Sequence, residues 1–474
     1  MVFSSALFLF LFLPVVLLLY YLLPKKCQNA ILLIASILFY TWGEPRFILI
    51  LLGSITLDYF IAKGIDKQKN KQQKKKLLIL AIVLNVLLLG YFKYANFFIE
   101  NVQQFYNWLG LTPFKWSEVA LPIGISFVTF QKISYLVDVY RGDHPAQRRW
   151  DHLAMYILMF PQLIAGPIVR YKDIAQQLSD RRENENWDTR LNGLARFIIG
   201  LSKKVLIANV LATQVDLIFS TAPEQLATTT AWIGMVAYSM QIYFDFSGYS
   251  DMALGLGLML GYRFPENFNF PYLSQSFSEF WKRWHISLGR WMMDYLYIPL
   301  GGNRKGKIRT LINLAIVFLI SGLWHGAAWT FVVWGAYHGI FLILDKLGLQ
   351  KGLQKLGRIP AILITCLLVM IGWVIFRADT LSYSTHYIAR LFSFTSICDN
   401  ILIDNRFIFT FTLSIGLAFL GIFHQIEGSV NNLFNTGHRR WQWITLSIIM
   451  ILLYLADSCS LLSGDLNPFI YFRF

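Results

Sequence analysis

The sequence predicts an all-α integral membrane protein that crosses the bilayer several times. Of its 474 residues, 56% are hydrophobic and only 15% are charged, whereas soluble domains carry about 25% charged residues. Several apolar runs also approach the roughly 20 residues that a helix needs to cross a bilayer. These two observations exclude a soluble globular protein.

Apolar segments follow one another along the whole chain, separated by loop-sized polar stretches. Some are short or are interrupted by Gly, Pro or charge, and we expect these to enter the membrane without crossing it, covered by other protein. We therefore predict one transmembrane domain over residues 1–474. The segments lie near 3–23, 28–43, 46–62, 77–95, 119–139, 152–169, 190–219, 228–246, 248–262, 308–323, 326–345, 359–376, 406–424 and 441–459.

The net charge is +15, and the basic residues are distributed along the chain as in a membrane protein rather than as in a nucleic-acid-binding protein. Its densest cluster is the Lys-rich loop 67–76, and short basic loops stay in the cytoplasm. Counting spans back from this loop puts Lys25 and Lys26 inside and Met1 outside. Counting forward puts the arginines of 141–149 inside as well, so three loops predict the same orientation.

Two further features of the chain carry little functional information. The first apolar run has no basic residue before it and no small-residue cleavage site, so we expect it to remain as the first span. The cysteines are scattered without a CxxC pair and indicate neither a disulfide framework nor a metal site. They are Cys27, Cys366, Cys398 and Cys459.

The stretch 266–304 is rich in Trp and Arg and is predicted to be an amphipathic or re-entrant segment. Helical spacing puts Trp281, Trp284, Leu288 and Trp291 along one side, after a helix start capped by Ser276 or Ser274. Such a helix is expected at the membrane surface, with its rings at headgroup depth. The residues alone leave open whether it is only an interfacial anchor.

His325 is the strongest catalytic candidate because it lies among apolar residues. A neutral imidazole, with an ordinary pKa near 6.5, can deprotonate a hydroxyl that attacks a thioester. The alternative is a buried structural histidine. Small neighbours would let a second backbone or a slender substrate approach, and two indoles would add flat walls. These neighbours are Ser321, Gly322, Trp324, Gly326 and Trp329.

Other polar residues are weaker candidates. If residues 308–345 formed one straight helix, the His338 ring would be about 20 Å from that of His325, which favours a structural role. Asp245 and Asp251 either line a cavity or are hydrogen-bonded structurally. The glycines of 255–261 do not have the spacing or context of a dinucleotide-binding loop.

Several long motifs identify the chain as similar to the membrane-bound O-acyltransferases, in the bacterial branch that contains alginate O-acetyltransferases. They are FPQLIAGPIVR at 160–170, ENFNFPYLSQSFSEFWKRWHISLGRWMMDYLYIPLGGNR at 266–304, GLWHGAAWTFVVWGAYHG at 322–339, and the stretches MVFSSALFLFLFLP and PFIYFRF at the two ends. The resemblance runs nearly end to end. It does not separate alginate from cellulose or peptidoglycan acetylation.

The resemblance implies a ring of transmembrane helices around a central funnel and tunnel. It puts the family's catalytic histidine on His325 and its second His/Asn position on His285. The residues expected to line the tunnel or the motif are Ser321, Gly322, Trp324, Gly326, Trp329 and Asn303. It also implies acetyl-CoA as donor from the cytoplasm, no metal, and a bacterial inner membrane location. Within the C-terminal aromatic tail, residues 460–474, Tyr471 matches a tyrosine thought to carry the acyl group in related export systems.

Related systems also imply a partner, a periplasmic SGNH-hydrolase-like acetyltransferase that completes the transfer to the polysaccharide. The expected function is O-acetylation of an exopolysaccharide of the alginate type. One alternative keeps the chemistry but changes the acceptor to cellulose, peptidoglycan, a lipid or a protein. A distant alternative is a proton-coupled transporter using Asp245, Asp251 and His325, which predicts inverted repeats that the sequence does not display.

Overall fold

The structure is a computed structural model, which describes residues 2–164, 166–393, 399, 401–423, 428, 434 and 439–464. Helices and their connections make up these residues, and no strand occurs among them. The prediction of an all-α fold is therefore confirmed. Tyr471 and most of the 460–474 tail lie outside the described residues.

The chain folds into two compact units. The first consists mainly of residues 7–181. Its first helix begins with a turn of π-helix. Met159 alone separates the helix that ends at Leu158 from the short helix that follows it. Its helices are α1 (Phe8–Leu22), α2 (Gln28–Gly43), α3 (Ile48–Lys67), α4 (Lys71–Trp108), α5 (Ile125–Arg141), α6 (Trp150–Leu158), α7 (Phe160–Leu163) and α8 (Tyr171–Ile174).

The second unit consists mainly of residues 182–325 and 329–474. A π-helix, Lys203–Ala208, joins its first two helices, and another, Met293–Tyr297, follows its fifth. Its helices are α9 (Trp187–Ser202), α10 (Asn209–Ser220), α11 (Thr228–Met259), α12 (Phe277–Arg283), α13 (Ile286–Met292), α14 (Lys307–His325), α15 (Trp329–Leu347), α16 (Leu349–Lys355), α17 (Arg358–Arg377), α18 (Leu381–Leu391), α19 (Asn405–Phe419) and α20 (Arg440–Ser463).

Within the described residues, seven helices are long and apolar enough to cross a membrane. They are α3, α4, α14, α15, α17, α19 with its 3₁₀ extension to Ile422, and α20. This supports a multi-pass membrane protein. The N-terminal helix Phe8–Leu22 is shorter than the roughly 20 residues of a full span. The funnel and the single domain over residues 1–474 stay predictions.

The apolar segments 228–246 and 248–262 prove to be one helix, α11. It is buried along almost its entire length because close contacts between glycines let α9 pack against it. A Cβ added to Gly200 would lie 2.6 Å from the carbonyl oxygen of Gly248, and one added to Gly255 would lie 2.5 Å from that of Gly193. The glycines of 255–261 therefore include one that serves helix packing.

The stretch 266–304, predicted to be an amphipathic or re-entrant segment, does not contain the one continuous helix that its spacing suggested. The chain forms α12, breaks at Trp284–His285 and resumes as α13, because His285 adopts a left-handed backbone with φ +45°. Trp284 and Trp291 are buried within the protein. Ser276 does cap the start, where its hydroxyl accepts a hydrogen bond from the backbone N–H of Glu279.

Candidate functional site

His325 is the last residue of α14, and its side chain is buried. Aromatic rings from three helices of the second unit surround its imidazole. The ring centroids of Trp324, Trp334 and Phe376 lie 4.8, 5.0 and 5.3 Å from that of His325, all with steep interplanar angles. The histidine therefore lies at a helix end within an aromatic enclosure, where bulk water is largely excluded.

The crossing of α14 with α15 brings Trp334 to His325. Gly322 of α14 faces Gly335 of α15, and a Cβ added to Gly322 would approach the Cα of Gly335 to 3.0 Å and the carbonyl oxygen of Phe331 even more closely. The small residue at 322 thus serves a helix–helix contact. Of the two roles that the sequence suggests for it, close approach of a second backbone is the one observed.

His285 lies at the break between α12 and α13 and is almost fully buried. Its ring packs edge-to-face on Phe246 of α11, with centroids 4.7 Å apart. The Trp324 ring is 6.1 Å away on a tilted plane. Since Trp324 also contacts His325, one indole touches both histidines that the sequence motifs single out.

Asn267 holds the other side of the His285 ring. Its Oδ1 lies 3.0 Å from His285 Nδ1 and accepts hydrogen bonds from the backbone N–H and the hydroxyl of Ser287, at 3.3 and 2.8 Å. Its Nδ2 donates to Ser250 Oγ at 2.9 Å. Within the described residues, the buried Nε2 of His285 has no hydrogen-bond partner.

His338 contacts the same aromatic group from another side. The straight helix that would separate it from His325 does not form, because α14 ends at His325 and α15 begins at Trp329. Its ring lies 4.8 Å from that of Trp334, and its Nδ1 accepts a hydrogen bond from the indole N–H of Trp281 at 3.3 Å. These contacts fit the structural role that the sequence favours.

The remaining predicted lining residues separate into two groups. Ser321, Gly322 and Gly326 are buried near the end of α14 or just after it. Trp329 is 55% exposed, and Asn303 is exposed in the turn before α14.

The acidic residues of α11 are ion-paired. Asp245 lies 2.6 Å from the ammonium of Lys204. Asp251 pairs with Lys203 and Arg196, and Arg196 also binds Glu266. These ion pairs fit the structural alternative for both carboxylates and disfavour a proton relay through them.

Sequence reasoning missed Asn267, Trp334 and Phe376. The last two come from other helices, and nothing in the local pattern distinguishes them from ordinary apolar positions. Asn267 lies inside the 266–304 motif, yet only the chain reversal after α11 brings it beside His285. Among the described residues, no group of three or more His, Cys, Asp or Glu side chains is placed to hold a metal ion.

The arrangement suits proton transfer in an enclosed site. Two imidazoles lie against one indole, and an aromatic wall covers one of them. Trp334 Nε1, like His285 Nε2, is buried without a hydrogen-bond partner among the residues described. Buried polar atoms are rarely left unpaired without a reason, and a bound substrate would supply the missing partners.

Comparison with known proteins gives consistent matches. Residues 39–351 match the family described as MBOAT, membrane-bound O-acyltransferase. The chain is 42% identical, over the full length of both proteins, to the probable alginate O-acetylase AlgI of Pseudomonas putida. It is 48% identical to that of Pseudomonas aeruginosa, over 83% of this chain and 75% of the relative. It is also 39% identical to the peptidoglycan O-acetyltransferase of Helicobacter pylori, over 80% and 78%.

Proposed function

The chain belongs to the membrane-bound O-acyltransferase family, and from this premise we propose that it moves acetyl groups from cytoplasmic acetyl-CoA to a polysaccharide outside the cytoplasm. It is an acyltransferase. An alginate-type exopolysaccharide is the acceptor that we favour, because alginate O-acetylases match the chain at 42–48% identity. The peptidoglycan O-acetyltransferase, at 39% identity, supports peptidoglycan as the second candidate acceptor.

The observation that carries this proposal is the convergence of His285 and His325 on the Trp324 ring. His325 ends α14, whereas His285 lies at the break between α12 and α13, and the two belong to different sequence motifs. Both are buried, and a neutral imidazole can take and return a proton near physiological pH. Acyl transfer from a thioester to a hydroxyl needs a proton acceptor at the hydroxyl and a proton donor at the departing thiolate.

In the proposed reaction, His325 takes the proton of the acceptor hydroxyl as its oxygen attacks the thioester carbonyl. The new oxygen–carbon bond forms, the carbon–sulfur bond breaks, and the proton passes from the imidazole to the CoA thiolate. His285 acts beside it as a second proton acceptor or by orienting the thioester. Proton transfer by a positioned group contributes about 10²–10⁴-fold to a rate.

The charges at the helix ends support transfer outward. Basic residues lie where α14 begins and where α15 ends, and His325 is at the opposite end of α14, about 27 Å along the axis if the helix is regular. Basic loops favour the cytoplasm and would attract the phosphates of CoA. The basic residues are Arg304, Lys305, Lys307, Arg309, Lys346, Lys351, Lys355 and Arg358.

Delivery to the polysaccharide is the last part of the proposal. Tyr471 is the candidate carrier that accepts acetyl from the His325 site, and it passes the group to a periplasmic SGNH-hydrolase-like partner. A phenol has an ordinary pKa near 10, so a neighbouring base is needed to activate it, and its ester is a good onward donor. This route fits a bacterial inner membrane protein whose N-terminus is outside.

The test is acetyl transfer by purified protein in proteoliposomes. With radiolabelled acetyl-CoA inside and acceptor polysaccharide plus partner outside, the His325→Ala variant should lose at least 10²-fold in transfer rate while remaining folded. His386→Ala is the matched control, because His386 is exposed on α18, and it should retain the wild-type rate. Full transfer by His325→Ala would overturn the proposed role.

Tyr471→Phe tests the carrier separately, because it keeps the ring and removes the nucleophile. We expect labelled acetyl to disappear from the protein and polymer acetylation to stop. Unchanged acetylation would reject the carrier and leave the His325 chemistry standing. Offering alginate and peptidoglycan fragments in parallel identifies the acceptor.

A further inference from the structure

The environment of His285 determines which of its two ring nitrogens carries the proton. A neutral imidazole has one N–H donor and one acceptor nitrogen, and the partner of either nitrogen decides the tautomer. Asn267 Oδ1 lies 3.0 Å from Nδ1. An amide side chain can present either oxygen or nitrogen, so its orientation must be established first.

The backbone of Ser287 establishes that orientation. Its N–H can only donate, and it lies 3.3 Å from the Asn267 atom that faces His285. That atom must therefore be the oxygen, because a flipped amide would set two donors against each other. Nδ2, on the other side, donates to Ser250 Oγ, which satisfies both ends of the amide.

We infer that Asn267 is a positioning residue that keeps His285 in its Nδ1–H tautomer and leaves the Nε2 lone pair for the reaction. Nδ1–H donates to Asn267 Oδ1, so Nε2 is the acceptor nitrogen. Nε2 is buried without a hydrogen-bond partner among the described residues, and the ring packs on Phe246 and near Trp324. In hydrolases with a Ser-His-Asp triad, holding the histidine in the wrong tautomer lowers kcat by about 10⁴-fold.

The backbone of His285 supports the same conclusion. Its φ of +45° is a strained conformation for a residue other than glycine, and such strain clusters at functional sites. Asn267 contacts the chain just after this turn, because its Oδ1 accepts a hydrogen bond from the backbone N–H of Ser287. One side chain thus supports both the strained backbone and the proton position of the ring.

The tautomer is measured directly by solid-state NMR on full-length protein with ¹⁵N-labelled histidine in lipid, with the His285 signals assigned from the spectrum of His285→Gln. We expect the wild type to have Nδ1 protonated and Nε2 bare. The opposite tautomer overturns the inference. Because no acetyl transfer is involved, this result is independent of the proposed function.

Substitutions then separate positioning from folding. Asn267→Leu should give a mixed or reversed tautomer and lower kcat at least 10-fold with little change in KM. Asn267→Asp keeps an oxygen acceptor, so it should restore the Nδ1–H tautomer and most of the rate. Ser250→Ala removes a hydrogen bond from the other end of the same amide and should leave the tautomer unchanged.

An unchanged His285 tautomer in Asn267→Leu would overturn the inference. So would an Asn267→Asp variant that behaves like Asn267→Leu. The positioning role rests on the proposed acyl transfer, but the two can fail separately. A correct tautomer together with an active His325→Ala variant would reject the catalytic proposal and leave the tautomer assignment intact.

Discussion

Two buried polar groups, one in each unit, show different ways of placing polar atoms among apolar helices. In the first unit, Lys132 of α5 lies 3.0 Å from Asp58 of α3, and both are almost completely buried. Asn85 of α4 donates to both carboxylate oxygens of Asp58, at 3.0 and 3.1 Å. In the second unit, His285 and His325 lie mainly against aromatic rings.

The difference separates an ionic cluster from the proposed reactive site. The charges of Asp58 and Lys132 compensate each other and connect three helices, so neither charge is left without a counter-charge. His285 keeps a ring nitrogen without a hydrogen-bond partner in the described part of the chain. Polar residues within a membrane are functional candidates by default. Here the Asp58 cluster pairs its charges internally, whereas the histidines lie against aromatic rings.

The largest expected effect belongs to the histidine site. His285→Ala should lower acetyl transfer by about 10²–10⁴-fold if the imidazole takes part in proton transfer. Removing this buried ring also leaves a cavity and should lower the free energy of unfolding by about 2–5 kcal/mol, so the transfer rate is compared per folded molecule. Transfer rates in proteoliposomes and reversible unfolding in detergent, measured on the same preparation, check both statements.

A His285→Ala variant that unfolds readily and transfers acetyl normally once folded would reverse the comparison. His285 would then be the structural residue. His386→Ala again supplies the control for removing an imidazole from an exposed position.

The Asp58 cluster should show the opposite pattern. Lys132→Met keeps the length of the side chain and removes its charge, which leaves a buried carboxylate without its cation. We expect the free energy of unfolding to fall by about 3–5 kcal/mol, with normal transfer per folded molecule. Loss of transfer in fully folded Lys132→Met protein would show that the cluster serves the reaction.

The smallest effect is expected when both charges are removed together. Lys132→Met combined with Asp58→Asn keeps an oxygen that accepts from Asn85 and leaves no charge unpaired. Replacing a buried ion pair by neutral groups is often close to neutral for stability, so the double variant should recover most of the loss. Additive destabilisation of the two changes would mean that the residues do not act as a pair.

The sequence anticipated the site unevenly. The motif residues His285 and His325 were found, because they lie in long characteristic stretches. Trp334 and Phe376 were not, since an apolar helix offers many equivalent aromatic positions and only packing selects the ones that touch an imidazole. The separation expected between His338 and His325 assumed one straight helix over residues 308–345. That helix does not form, because the chain turns at residues 326–328 between α14 and α15.

By itself, the sequence determined the membrane class of the protein, and its motifs determined the acyltransferase family. Apolar runs long enough to span a bilayer permit little except helices, because backbone groups in lipid must bond within their own segment. The tertiary structure decided which polar groups meet. The Asn267–His285 contact and the pairing of Asp58 with Lys132 join residues that are distant in sequence. The left-handed turn at His285 depends on the backbone geometry around it. Local composition does not encode such contacts, because each forms only when helices pack.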